Sequence, residues 1–596
     1  FEYIIHLANS NVNMRRYGLI KIFKNLKKID WLYIFISIGL IVFSVWLDLT
    51  MPDYTKKLTT AVSAGAIVQK EVWKNGGMML LCAFGSMAAA IATGWFSSHI
   101  AANFAKTLRS KLFDKISTFT DREINRFTTP SLITRTTNDV VQMQMLIAMG
   151  MQAMIKAPIL AIWAMSKISS TSIEWTSATL ITVAVMIGAI GLVVGLCYPK
   201  FKRIQKLTDA LNEITRESIT GVRVVRAFNA EDYQENKFEK VNTAVTSNQL
   251  FTSRAMGVMM PVMTVCMSGL TLAIYWIGAV LMDKAAVLDR AVVLGDMTAF
   301  TQYALQVVMA FMMLVMIFVI TPRAMVSSKR INEVFDTEPS IEYAAEPAET
   351  DRVGEFEFRN VSFAYPDSAT PCLSGLSFKI ERGETFAIIG ATGAGKTTLI
   401  DLLPRYYDCT EGEVLIDGVN VKELTKEQIE RRISLAPQKA VLFKGDIKSN
   451  ITYGGDADDA RIERALRISQ STFVEDKTDG ILSEVAQGGT NFSGGQKQRL
   501  SIARAVYKDA EIYIFDDTFS ALDYKTDMLV RKAIREEMSD KTVVIVAQRI
   551  GTIKNADRIL VLDDGKAVGL GKHDELLRTC PVYKDIALSQ LSKEEL

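Results

Sequence analysis

The chain has 596 residues, 49% of them apolar, and carries 68 Lys and Arg against 66 Asp and Glu for a formal net charge of +2. That length is too great for one domain, and so small a net charge offers no electrostatic footprint for a nucleic-acid partner. Cys82, Cys197, Cys266, Cys372, Cys409 and Cys580 form no CxxC pair, which argues against a disulfide framework or a zinc site.

Residues 1–13 precede Met14-Arg15-Arg16 and read as a tag or upstream sequence outside the fold. The first apolar run follows a long basic segment and is itself followed by more such runs, so it does not read as a cleavable signal. Six stretches are long and apolar enough to cross a bilayer, which takes about 20 residues. They run over 31–51, 76–97, 143–166, 175–198, 256–282 and 297–322. Lys and Arg concentrate before the first stretch and in the connectors 98–142 and 199–255. That distribution puts the N-terminus and both long connectors in the cytosol, and six spans bring the second half back to the same side. The connectors are charged and poor in Gly and Pro, so they read as helical extensions of the spans with short helices at their tips, near Phe127–Leu132 and Asn229–Gln234. Loops that long without structure are uncommon.

Methionine crowds the third, fifth and sixth spans, with Met309 and Met313 in the last. Its flexible side chain suits a cavity that repacks around varied apolar ligands, although lipid-facing or helix-packing filler is the plain alternative. Lys156 lies inside the third span beside Pro158. An ionisable group at that depth faces a watery cavity or a partner charge, unless the lysine snorkels from a helix that starts lower. Lys156, Met309 and Met313 are therefore the candidates for a substrate cavity.

Residues 337–353 are polar, with two Pro and several Glu, and read as a linker. From Gly354 onward short strands take over. Thr385–Ile389 leads into Gly390-Ala-Thr392-Gly393-Ala-Gly395-Lys396-Thr397, a complete phosphate loop between a strand and a helix. Its glycines let backbone N–H groups close on phosphates, Lys396 reaches the outer phosphates, and the Thr397 hydroxyl holds Mg2+. The apolar run Ile512–Phe515 ends in Asp516, the carboxylate expected on the Mg2+ side. Between them, Ser493-Gly494-Gly495-Gln496 opens a helix and forms a second anion-gripping segment.

The set Gly390–Thr398, Gln438 after Leu435-Ala-Pro, Phe492-Ser-Gly-Gly-Gln496, Ile512–Asp516 and Ser520-Ala-Leu-Asp523 resembles an ABC transporter ATPase domain. With six spans ahead of it, the chain resembles a type IV ABC exporter half-transporter over about residues 14–590. The fold this implies is multidomain: an all-α six-helix transmembrane domain (14–336), the linker 337–353, and an α/β ABC ATPase domain with its phosphate loop (354–596). The resemblance assigns Tyr365 to adenine stacking. It gives Thr398 to the ATP-binding set with Gly390, Thr392, Gly393, Gly395, Lys396 and Thr397, and makes Gln438 an ATP and Mg2+ contact beside Thr397 and Asp516. It implies ATP and Mg2+ as cofactors and two ATPs held between two chains. Each ATP then meets one chain's phosphate loop and the other's Ser493–Gln496 segment.

Two positions depart from the family. Where it places a Glu after the Mg2+ carboxylate, this chain has Asp517, one methylene shorter. A misplacement of about 1 Å costs on the order of 100-fold in rate. Where it places a His near the γ-phosphate, this chain has Gln548, which donates a hydrogen bond and cannot become a cation. The expectation is a chain that binds ATP and hydrolyses it poorly: the degenerate-site subunit of a heterodimeric bacterial exporter of amphipathic molecules (drugs, lipids or peptides). Its partners would be a second half-transporter supplying Glu and His, the lipid bilayer and the substrate. It would lie in the plasma membrane with both termini cytosolic. The competing readings are a nucleotide-gated regulatory membrane protein and an importer of the same fold.

Overall fold

A computed structural model describes residues 19, 21–63, 69–169, 173–284, 286, 289–350, 353–366, 368 and 370–591, apart from the side chains at 315, 316, 318 and 319. Residues 1–13 therefore lie outside the described residues. The chain divides into two units, one of residues 1–117 and 127–337 and the other of residues 118–126 and 338–596.

The first unit is all helix: α1 Lys28–Ser63, α2 Gln69–Ser117, then the short α3 Asp121–Phe127 and α4 Thr129–Thr136, α5 Asn138–Ser169, α6 Ile173–Thr220, the short α7 Val222–Ala227, α8 Glu231–Gly257, α9 Met259–Lys284 and α10 Arg290–Asp336. Each of the six apolar stretches lies in a helix long and apolar enough to cross a membrane. Helix α2 has 49 residues, roughly 70 Å at about 1.5 Å per residue, well beyond the roughly 30 Å of a hydrocarbon core. The surplus is polar and belongs to the connectors. Ile41, Val45 and Leu49 of α1, Leu160 and Ala164 of α5, Trp175 of α6, Ile274 of α9 and Phe300 to Val308 of α10 share one apolar core. Trp175 donates its indole N–H to the Ile274 carbonyl oxygen at 3.1 Å, so its polar end is satisfied inside that core.

The connector tips correct the sequence reading. The first connector carries two short helices: Thr129–Thr136 overlaps the expected Phe127–Leu132, and Asp121–Phe127 lies ahead of it, where Thr120 and Glu123 form its start signal. Glu123 Oε2 accepts from the Thr120 backbone N–H at 2.9 Å and from its hydroxyl at 2.7 Å. Thr128, with φ of 64°, separates this helix from α4. The second tip is Val222–Ala227, ahead of the expected Asn229–Gln234. Asn229 takes a φ of 50° and turns the chain into α8.

The second unit is α/β. Its strands are β1 Phe356–Phe363, β2 Leu373–Ile380, β3 Thr385–Gly390, β4 Glu411–Ile416, β5 Val419–Asn420, β6 Ile433–Ala436, β7 Gly445–Asp446, β8 Glu484–Val485, β9 Ile512–Asp516, β10 Thr542–Val546, β11 Arg558–Asp563 and β12 Lys566–Gly571. Six form a sheet in the order β12-β11-β3-β10-β9-β6, parallel except for β12, and four form an antiparallel sheet β2-β1-β4-β5. The inner strands β9 and β10 are buried along their whole length, as their unbroken apolar runs require. Helices α11 Lys396–Leu402, α12 Gly494–Tyr507 and α13 Tyr524–Glu537 carry the motif residues. Thr118–Arg126, which the sequence reading counts with the membrane domain, groups with this unit.

Candidate functional site

Neighbouring strands β3, β10 and β9 end at one level, with Val546 opposite Ile388 on one side and Asp516 on the other. The carboxyl edge of a parallel sheet is where such folds bind ligands, and the motif residues converge there. At the end of β3, Gly390 lies so close to β11 that a Cβ would sit 2.3 Å from the Leu562 carbonyl oxygen, so no other residue fits. Gly395 takes a φ of 93° where the loop turns into α11. The Lys396 ammonium donates to the carbonyl oxygens of Gly390 at 2.8 Å and Ala391 at 2.9 Å. Burial lowers its pKa, against the raising pull of Asp517 and Asp516. Thr392, Gly393 and Thr397 are exposed around it, while Thr398 is buried behind.

Asp516 ends β9 and Asp517 follows it, the pair 7% and 9% exposed. Burial, then the charge of Asp517, pushes the Asp516 carboxyl up to about 6, opposed by Lys396. Asp517 has a left-handed backbone, φ 43°, held by its N–H donating to the Val546 carbonyl oxygen at 3.0 Å and its carbonyl oxygen accepting from the Ser520 hydroxyl at 2.8 Å. One oxygen of its carboxylate, Oδ2, accepts from Gln548 Nε2 at 2.9 Å and from Gln438 Nε2 at 3.2 Å. Asp517 and Gln548 are thus bonded to each other.

The residues present fit a magnesium ion. Two carboxylates crowd one lysine, so the corner carries an excess negative charge. Gln438 spends its amide nitrogen on Asp517, which leaves its oxygen as the metal-facing end. Thr397 adds an exposed hydroxyl, so the donor set is all oxygen, as Mg2+ prefers.

Ser493 caps α12. Its hydroxyl accepts from the Gln496 N–H at 3.3 Å, and the Gln496 side chain accepts from the Ser493 N–H at 3.0 Å. A Cβ on Gly494 would meet nothing within 4 Å, whereas one on Gly495 would touch the Ala521 carbonyl oxygen at 3.4 Å. Ser493 and Gly494 are exposed. Gln498 on the same helix donates to the Pro437 carbonyl oxygen at 3.2 Å, tying α12 to the loop that bears Gln438.

Tyr365 is half-buried, its ring edge-on to Phe363 and Tyr407 with centroids 4.9 and 5.5 Å away, and its hydroxyl is 3.0 Å from the Thr398 hydroxyl. Asp121 of α3 bears electrostatically on this corner. The Tyr407 hydroxyl is pushed up to about 12 by burial first and Asp121 second. Asp401 is pushed up to about 7 by burial, then Asp516 and Asp121.

In the membrane unit, Lys156 pairs with Asp48 of α1 at 3.1 Å. Met309 is exposed and Met313 half-buried. Sequence reasoning misses Asp48, the partner of Lys156, and the further pairs Lys167–Asp53 and Lys56–Asp296 on the same three helices. The signal for them is an ionisable residue inside or at the end of an apolar helix, the same signal that marks Lys156.

A family model described as ABC transporter transmembrane region matches residues 34–321, and one described as ABC transporter matches residues 373–520. An uncharacterized ABC transporter ATP-binding protein of Mycobacterium bovis is 39% identical over 521 residues, covering 86% of this chain and 87% of its own length. An ATP-dependent lipid A-core flippase of Paraburkholderia xenovorans is 32% identical over 500 residues, 83% of this chain and 82% of that one. Among solved structures, a bacterial Atm1-family ABC exporter with ATP bound superposes with a TM-score of 0.79 at 23% identity, over 94% of this chain and 98% of that chain, and shares the fold.

Proposed function

This chain belongs to the ABC transporter family, a multi-pass membrane protein with its ATP-binding domain in the same polypeptide, and from that premise we propose that it is one half of a two-chain exporter of amphipathic molecules in a bacterial plasma membrane. Its own ATP site turns over slowly, and its Ser493–Gln496 segment completes a faster site on a partner that supplies Glu and His. Both termini and both connectors face the cytosol. The kinship with proteins named lipid A-core flippases supports an amphipathic cargo.

The observation that carries the reading is Asp517 held between Gln548 and Gln438. A general base must present a proton-accepting oxygen to the attacking water. Here one carboxylate oxygen, Oδ2, already accepts two amide hydrogen bonds, which occupies its lone pairs and leaves it poorly placed to receive a proton from water. The chain is also one methylene short of the family's reach, and its left-handed backbone fixes where it points. Gln548 hydrogen-bonds the acid and brings no positive charge toward the γ-phosphate. Binding is spared. Lys396 exchanges two loop carbonyls for phosphate oxygens, and Thr397, Gln438 and Asp516 would hold Mg2+, which when bound neutralises phosphate charge.

The test is steady-state phosphate release by the purified full-length chain, alongside equilibrium Mg-ATP binding. Tight binding with slow release is expected; rapid release by the chain alone overturns the reading. Asp517→Glu with Gln548→His should raise turnover about 10- to 100-fold, and Asp517→Glu alone should do less, because the γ-phosphate contact is still missing.

A further inference from the structure

At the end of the helical bundle away from the connectors, α1, α5 and α10 enclose a cavity of about 280 Å3 lined by Asp53, Lys56, Lys167, Asp296, Phe300 and Tyr303. Its charges come in opposite pairs across helices. Lys167 of α5 meets Asp53 of α1 at 2.8 Å, and Asp53 also accepts from the Tyr303 hydroxyl of α10 at 2.6 Å. Lys56 of α1 pairs with Asp296 of α10. One level further in, Lys156 of α5 pairs with Asp48 of α1. Each lining charge retains a fifth or more of its side-chain surface, so the pairs face an open space and are not sealed in packing. At Gly295 the helices almost touch: a Cβ there would stand 2.2 Å from the Thr60 hydroxyl and 2.9 Å from the Lys56 carbonyl oxygen.

Asp53, Lys56, Lys167 and Asp296 lie just past the ends of the apolar stretches 31–51, 143–166 and 297–322, where paired charges around an open cavity can receive a polar group that enters from the membrane edge. Structural glue does not require that they line a cavity. We infer that this cavity binds the polar head of the transported amphiphile, and that the head it fits is zwitterionic, carrying one ammonium-type cation and one anion. The argument is charge balance. A cationic head that takes Asp53 or Asp296 strands a lysine in the bundle, and an anionic head that takes a lysine strands an aspartate. Leaving one member of such a partly exposed pair without its partner forfeits the attraction that holds it across the cavity. A zwitterion opens a pair and replaces both partners, so no charge is left over, and an uncharged head gives nothing in return for opening one. The volume is near the low end for ligand pockets, roughly 300–1,000 Å3. It suits a head group whose apolar tail lies outside. This assignment of substrate class rests on the exporter reading.

The experiment separates the two. The full chain in maltoside micelles is titrated with three dansyl-tailed amphiphiles of one chain length, bearing a phosphoethanolamine, a phosphoglycerol or a trimethylammonium head. The zwitterion should bind about tenfold more tightly than either other probe. Lys167→Gln should shift preference toward the trimethylammonium probe, because Asp53 loses its cation. Asp296→Asn should shift it toward phosphoglycerol, because Lys56 loses its anion. Lys167→Arg, which keeps the charge, should keep the zwitterion preference and shows that the site survives substitution. Equal binding of all three probes, or a parallel loss of all three in both neutralising variants, overturns the inference. If the selectivity shifts appear but no ATP-driven movement of the zwitterion occurs in vesicles that hold both chains, the exporter reading fails and the binding site stands.

Discussion

The nucleotide corner at the ends of β3, β10 and β9 and the far end of the helical bundle both gather ionisable side chains, but they balance them differently. In the corner, Asp516 and Asp517 face one cation, Lys396. In the bundle, each of three lysines has its own aspartate. An unbalanced cluster has room for a further counter-charge, and the Asp516 carboxyl, pushed up to about 6 by burial first and the charge of Asp517 second, is where that imbalance adds to the effect of burial. A balanced cluster is complete without a ligand, so a ligand must replace what it displaces. The first therefore selects a charge, and the second selects a pattern of charge.

The largest test of that contrast is Lys396→Ala. It leaves two carboxylates facing incoming phosphates, and ATP affinity should fall by about 100-fold or more by equilibrium titration. Retained affinity would mean that backbone N–H groups alone carry the grip. Next comes the Ser493–Gln496 segment, which has no acid of its own. In the two-chain complex, Gly494→Asp places a charge in open space meant for a phosphate, and should remove at least about 90% of ATP hydrolysis. Asp517→Ala should cost far less in the same assay. Equal losses would show that both sites turn over.

Smaller still is the effect of unbalancing the bundle. Lys156→Met strands Asp48 and should lower stability by about 1–2 kcal/mol, read as a fall in thermal midpoint in micelles. Adding Asp48→Asn should recover most of it. If the double variant is no better than the single, the pair is not what holds the two charges. The smallest effect concerns Asp401, pushed up to about 7. A raised acid binds its proton more tightly folded than unfolded. Its contribution therefore favours the fold at low pH and is lost as pH climbs from about 4 toward 7. Asp401→Asn should flatten that slope and raise the thermal midpoint at pH 8 by a few degrees. An unchanged pH profile would place the carboxyl in contact with water.

The corner is readable in sequence because its residues lie in short contiguous runs whose spacing is dictated by backbone contact with phosphate. Gly390, Gly395, Lys396 and Asp516 come together at the ends of β3 and β9. The bundle is a different case. Asp48 and Lys156, like Lys56 and Asp296, sit on different helices, and nothing local says that they pair. Only Lys156 stands out, by its depth in an apolar run. The span cores are legible from apolar length, while their true ends are not, since charged helix continues smoothly beyond the membrane. The Thr120 and Glu123 spacing does encode the first connector helix, but length and charge alone place that tip several residues late. The bond between Asp517 and Gln548 joins residues 31 positions apart. It becomes visible only when β9 and β10 lie side by side.

Helix α3 has a consequence for how the protein is made. Thr118–Arg126 belongs with residues 338–596, yet the ribosome finishes it more than two hundred residues before that unit begins. At about 5–20 residues per second, the segment waits on the order of tens of seconds for its docking surface. During that interval four of the six apolar helices have still to be threaded into the bilayer. The second unit is thus discontinuous in sequence, and its one early-made segment is in place in the chain long before the rest of that unit exists.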